Sequence, residues 1–321
     1  MDTLRDHEEE LHRLLTRLER QTPFAETMAQ RTRGEAVGMD RKAHRASTSP
    51  RLAGAVVRAW AGDRWVEAAA SSFDPEALET AARGLEASLT SGAAHRAPPG
   101  ESATTTGNAA EIPRRPMREL GLEKELEFAR DIYRWTMAVK GVSNAQVSVG
   151  WWDDERLYLN TVGARCYQIV SRVRASVAAI ATENGRTEFD FGAVGGIGGQ
   201  EILGRMDEAR AQATATSSVD LLRARTPPTG PMNVILDSGT TGTFAHESFG
   251  HGTEADQFVR NRSYLQPILG EVVAPESLTI IDDGSIPGAW GSIYFDDEGH
   301  RPGKTTLIDH GRFIGALHDR E

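Results

Sequence analysis

The chain has 321 residues, 39% of them hydrophobic, with a net charge of −10 and a single cysteine. This length exceeds one average domain and supports a sizeable core, while the acidic balance argues against partners gripped through phosphates, whether nucleic acid or an anionic membrane. Cys166 alone excludes an intrachain disulfide framework and fits a reducing cytoplasm; no apolar run is long enough to span a bilayer, and the acidic start "MDTLRDHEEELHRLL" lacks a signal-peptide core.

In chain order, Leu4, Leu11, Leu14, Leu15 and Leu18 fall at helical spacing and predict an amphipathic helix over 3–20. "LAGAVVRAWAGDRWVEAAA" (52–70) reads as two strands around a Gly62-Asp63 turn, and "DPEALETAARGLEASL" (74–89) as a helix opened by Asp-Pro. Residues 91–116 hold almost no large apolar side chain, which predicts a flexible linker or disordered loop. A helix is expected near 120–139. "AQVSVGWWDDERLYLNTVG" reads as a hairpin turning at Asp153-Asp154, and "ARCYQIVSRVRASVAAIATENG" continues the sheet. The glycine-dense 192–201 misses the G-x-G-x-x-G pattern because Glu201 holds its final position, and is expected to be a loop. Residues 200–224 predict a helix. "TPPTGPMNVILD" (226–237) marks a boundary before a buried strand, and "SLTIIDD", "WGSIYFDD", "KTTLID" and "RFIGAL" read as later strands. The fold class expected is α+β: an N-terminal α/β domain with mixed sheet and helices, followed by the start of a strand-rich domain.

The segment that carries chemistry is "GTFAHESFGHGTEAD" (242–256), with His246, Glu247 and His251. In the zinc signature H-E-x-x-H, histidines four apart are turned only about 40° from each other on a helix; five apart, they are about 140° apart. A regular helix therefore aims only one of these two imidazoles at an ion. Gly250 and Gly252 flank His251 and permit local unwinding or a π-type bulge, so the pair suits a metal only if the helix is distorted there. Glu254 and Asp256 follow as additional ligands or outer carboxylates, with a solvated acidic turn as the alternative.

"HESFGHGTEAD" resembles the signature of the TldD/PmbA (TldE) family of metallopeptidases, and the blocks "PTGPMNVILDSGTTGTFAHESFGHGTEADQF" and "LTIIDDGSIPGAWGSIYFDDEGHRPGKTTLIDHGRFIGALHDRE" are similar to consecutive parts of it. The resemblance implies a zinc-dependent peptidase that hydrolyses peptides or small unfolded proteins. His246 and His251 would be the metal ligands and Glu247 the base that activates the metal-bound water. It also implies a homodimer, or a heterodimer with a related subunit.

The family's third ligand is a cysteine far downstream, and this chain ends at Glu321 before it. The resemblance thus implies Zn2+ that is weakly held or absent here, unless Glu254, Asp256, Asp282 or His300 completes the shell; Cys166, in a sheet-like stretch, is expected to be a core thiol. The organisation expected is an N-terminal domain in two parts (1–90 and 117–225) around the 91–116 linker. The beginning of the metallopeptidase domain (226–321), truncated relative to the family, follows. The alternative function is a non-catalytic or impaired TldE-like partner subunit that binds peptides without cleaving them.

Overall fold

A computed structural model of the chain describes residues 3–48, 52–89, 98, 100, 102–109 and 113–320. It divides into two units: residues 1–98, 104–226 and 287–291, and residues 99–103, 227–286 and 292–321. The class is α+β.

In the first unit, a 3₁₀ turn (Leu4–His7) leads into α1 (Glu8–Leu18); then come β1 (Ala25–Met39), β2 (His44–Thr48), β3 (Leu52–Trp60), β4 (Trp65–Ala70) and α2 (Pro75–Ser88). β5 (Thr106–Ala109), α3 (Leu122–Met137), β6 (Val142–Asn160), β7 (Arg165–Glu183), β8 (Arg186–Ile197), α4 (Gln200–Leu203) and α5 (Glu208–Leu221) complete it. One sheet runs β4-β3-β1-β6-β7-β5, with β2 also on β1 and β8 also on β7. All pairings are antiparallel except β5 on β7, which makes the sheet mixed.

Side chains alternate across a strand, so odd-numbered residues of β6 share a face. At one end of that face Leu157 and Leu159 join the leucines of α1 and α2 in one apolar cluster. At the other end Ala145, Val147 and Val149 join Ala129 and Ile132 of α3 and Ala211 of α5 in a second. Between the clusters lies a belt of paired charge. Asp153 faces Arg33 (3.4 Å) and Arg118 (3.5 Å) and accepts from Ser171 (2.7 Å). Glu155 faces Arg31 (3.6 Å) and accepts from the Tyr167 hydroxyl (2.7 Å) and the Leu4 amide (2.8 Å). Asp154, on the opposite face, accepts from Gln30 (2.7 Å) and Arg156 (2.9 Å).

This belt corrects the hairpin expected at Asp153-Asp154. β6 runs unbroken through the acidic triplet, because buried carboxylates with cationic and hydroxyl partners on neighbouring strands need no exposed turn. Other expectations also change. The 15-residue β1, rich in polar residues, has no counterpart among the expected strands; its arginines meet β6 carboxylates, so apolar alternation is lost from its sequence. Glycines 192, 195 and 196 lie in β8 rather than in a loop. A Cβ at Gly195 would stand 3.0 Å from the Trp290 ring, and one at Gly192 would collide with Thr214 of α5. The helix expected over 200–224 is two, α4 and α5, the second begun by Asp207, whose side chain accepts from the Arg210 amide at 2.9 Å. Within 91–116, residues 91–97, 99, 101 and 110–112 lie outside the described residues, while 106–109 form β5 through backbone pairing that side-chain pattern does not signal.

The second unit holds α6 (Ser238–Ala245), a π-helical turn (His246–Gly250), a 3₁₀ turn (His251–Thr253) and α7 (Ala255–Val259). Its sheet, ordered β11-β10-β9, is formed by β9 (Ile280–Asp283), β10 (Lys304–Asp309) and β11 (Arg312–Phe313). Phe249, Leu265, Leu307, Ile308 and Phe313 form its core. The strands expected at "PMNVILD" and "WGSIYFDD" are not formed. Val234 and Leu236 are exposed and Ile235 fully so, and no strand among the described residues pairs with this segment.

Glu125 of α3 is fully buried. The Trp151 indole donates to one carboxylate oxygen at 3.0 Å, and the other has no partner among the described residues. Burial first, and then the charge of Glu35, push its pKa from the ordinary 4.5 up to about 7. The folded state therefore keeps this proton where the unfolded state has lost it, and stability falls as pH rises from about 4.5 to about 7, then levels. Glu125→Gln is expected to flatten that fall and raise stability at pH 8 by about 1–3 kcal/mol, read from urea unfolding across pH.

Candidate metal centre

The Asp237 side chain accepts from the Thr240 amide at 2.7 Å and so starts α6; this backbone hydrogen bond, the largest of several, holds its pKa below the ordinary carboxylate value. At His246 the helix widens. The amide of His251 donates to the carbonyl of His246, an i→i+5 bond that defines the π turn. Wider winding brings residue 251 round toward the azimuth of residue 246. The two rings lie 4.4 Å apart between centroids, inclined at 64°.

The turn is held from outside. Phe249 is buried edge-on against Phe313, with ring centroids 4.9 Å apart. Carbonyls that a regular helix would satisfy internally find side-chain donors instead: Ser248 accepts from the Tyr264 hydroxyl, Gly250 from Thr253 (2.7 Å) and Gly252 from Ser263 (2.5 Å). Gly250 has ordinary right-handed helical torsions, φ −51° and ψ −59°, so left-handed glycine geometry does not produce the widening. Gly252 serves close approach: a Cβ there would sit 2.5 Å from Leu265 Cδ1 and 3.0 Å from its Cγ. Ser263, Tyr264 and Leu265 are supports that sequence reasoning missed. They lie beyond the motif, and only the fold-back after α7 brings them to it.

His246, Glu247 and His251 each offer a ligand atom, all within 4.8 Å of one another, and all three residues are exposed. Donors about 2.0–2.1 Å from one zinc ion stand at most about 4.2 Å apart, so the set fits such an ion after a small side-chain rotation. His251 Nδ1 lies 2.9 Å from Glu254 Oε1. This hydrogen bond, aided by the charges of Glu254 and Glu247 against slight burial, raises the His251 pKa. Asp256 is engaged elsewhere, with Gln257 (2.8 Å) and Arg260 (3.3 Å), and neither it nor Asp282 nor His300 joins the three-residue group. Cys166 is buried in β7, its sulfur 3.2 Å from the Thr105 carbonyl.

Residues 115–224 match the family model of the PmbA/TldA metallopeptidase central domain, and residues 229–321 that of the PmbA/TldA metallopeptidase C-terminal domain. The chain belongs to the PmbA/TldD family. A metalloprotease of Methanothermobacter thermautotrophicus is 35% identical over 64% of this chain and 45% of its own length. A zinc metalloprotease TldD homolog of Saccharolobus solfataricus is 31% identical over 32% of this chain and 23% of its own. The PmbA/TldD fold is also seen in a crystal structure from Bacteroides thetaiotaomicron described as a candidate modulator of DNA gyrase. It has TM-score 0.82 and 13% identity, covering 98% of this chain and 72% of that one. The chain spans about half the length of the curated relatives it matches. No described helix is long and apolar enough to cross a membrane.

Because Gly252 packs directly on Leu265, Gly252→Ala is expected to destabilise the protein by about 1–3 kcal/mol. Leu265→Ala in the same chain should cost less than the two single changes added together, a coupling measured by a double-mutant cycle in denaturant.

Proposed function

We propose that the chain forms the metal-binding part of a zinc-dependent peptidase acting on peptides or small unfolded proteins. The observation that carries this reading is the convergence of His246, Glu247 and His251 within 4.8 Å across a π turn, in a family whose members are metallopeptidases. In it His246 and His251 would hold the ion through ring nitrogens, and the chemistry it would supply is Lewis-acid polarisation of a water molecule and of the peptide carbonyl. Glu247 accepts the proton that water gives up and returns it to the leaving amine, so no Ser or Cys nucleophile is required. Exposure of all three residues leaves room for an extended peptide. A cytoplasmic setting, and a homodimer or a heterodimer with a related subunit, complete the proposal, along with a domain division near residue 226.

One observation favours the second reading, a TldE-like subunit that binds peptides without cleaving them. Glu247 sits close enough to both histidines to act as a third ligand, and a carboxylate so used is no longer a free base. Zinc analysis and peptide hydrolysis by Glu247→Gln separate the two. The enzyme reading expects zinc retained and turnover reduced by about 10²–10⁴-fold. Zinc lost with the carboxylate, and no hydrolysis by the parent chain, would establish the binding subunit instead.

A further inference from the structure

We infer that Glu254 is a positioning residue for the metal centre: it selects the tautomer of His251 and so decides which ring nitrogen is offered to the ion. The inference deepens the metal reading above, although its geometry stands without an ion. Glu254 Oε1 lies 2.9 Å from His251 Nδ1. An ionised carboxylate only accepts hydrogen bonds, so the neutral ring must carry its hydrogen on Nδ1. The lone pair is then on Nε2, the nitrogen that remains to be offered to an ion. An exposed, unassisted imidazole has no such restriction and spends much of its time with the hydrogen on Nε2, where the ion would need the lone pair.

Glu254 can do this because its backbone is fixed on both sides. The Leu317 amide donates to the Thr253 carbonyl at 2.8 Å, and the Ala255 amide donates to the Leu317 carbonyl at 2.7 Å, so residue 254 is clamped in a short parallel bridge. Leu317 itself packs against the cluster that buries Phe249, Leu307 and Phe313. The same core thus anchors the π turn through Phe249 and the carboxylate through Leu317, which fixes the two ends of the His251–Glu254 bond relative to each other. Asp256, two residues on, is bonded to Gln257 and Arg260 and takes no part.

The test uses the 321-residue chain, its Glu254→Ala variant, and Glu254→Gln, whose amide oxygen still accepts a hydrogen bond. Long-range ¹H–¹⁵N spectra of the metal-free proteins, recorded where His251 is neutral, report the tautomer; competition with a chromophoric chelator reports zinc affinity. Because the clamp uses main-chain atoms of Thr253 and Ala255, Glu254→Ala is expected to keep the parent's circular dichroism and melting temperature. The parent should show the Nδ1–H form. Glu254→Ala should move His251 toward Nε2–H and weaken zinc binding by about 10–100-fold, and Glu254→Gln, whose amide can accept from Nδ1–H or donate to a bare Nδ1, should lie between the two. A Glu254→Ala variant that keeps the parent's tautomer, or its zinc affinity to within about twofold, overturns the inference. A parent chain that binds no zinc overturns the proposal that His246, Glu247 and His251 hold the ion in this chain, and the tautomer spectra then decide the role of Glu254 alone.

Discussion

A single backbone hydrogen bond, from the His251 amide to the His246 carbonyl, is the constraint on which the centre depends. With regular α-helical winding the two rings would point about 140° apart. One π turn closes that gap. Such turns are rare because they give up regular helical bonding, and this one persists through what surrounds it. Tyr264, Thr253 and Ser263 supply donors to the carbonyls, and Phe249 ties the turn to the second unit's core. Helix winding, packing and donor geometry therefore form one chain of cause. Loss of the aromatic anchor or of the polar supports would be felt at the histidines without touching them.

The first unit solves a different problem, the coexistence of two apolar clusters on one face of a long sheet. The belt of Asp153 and Glu155 with Arg31, Arg33 and Arg118 separates them. Buried ion pairs are a weak source of stability, because desolvation offsets most of their attraction. Their use here is in register. A one-residue slip of β1 against β6 would carry Arg31 and Arg33 to the face away from their carboxylates and leave buried charge unpaired. The neighbouring Asp154 accepts from Gln30 of β1 on the other face, so both faces oppose the slip.

Much of the element pattern was legible. The helices over 8–18, 75–88 and 122–137 and the strands flanking Gly62 follow from apolar spacing and start signals that act over a few residues. The misses share a cause. β6 reads as a hairpin because Asp-Asp is good turn chemistry, and β1 gives no strand signal because Arg31, Arg33 and Glu35 interrupt its apolar face. In each case the partner that makes the charge tolerable lies on another strand. The glycines of β8 looked like a loop because the Trp290 ring and Thr214 that crowd them are far away in the chain.

For the site, residue order alone set out the candidates: two imidazoles, a carboxylate between them, and glycines at the place where a five-residue spacing requires a helix to deform. It also set the condition, since a five-residue spacing and a 3.6-residue turn do not agree. Tertiary structure decided how the condition is met, by widening the helix at His246 and bracing it from the segment at 263–265. It also separated Glu254 from Asp256, two carboxylates equivalent in sequence, by clamping residue 254 beside Leu317 so that only its side chain reaches His251. Spacing reports what neighbours along the chain can do. Which hydrogen bond forms depends on atoms brought near by folding, and those distances are written nowhere in the local sequence.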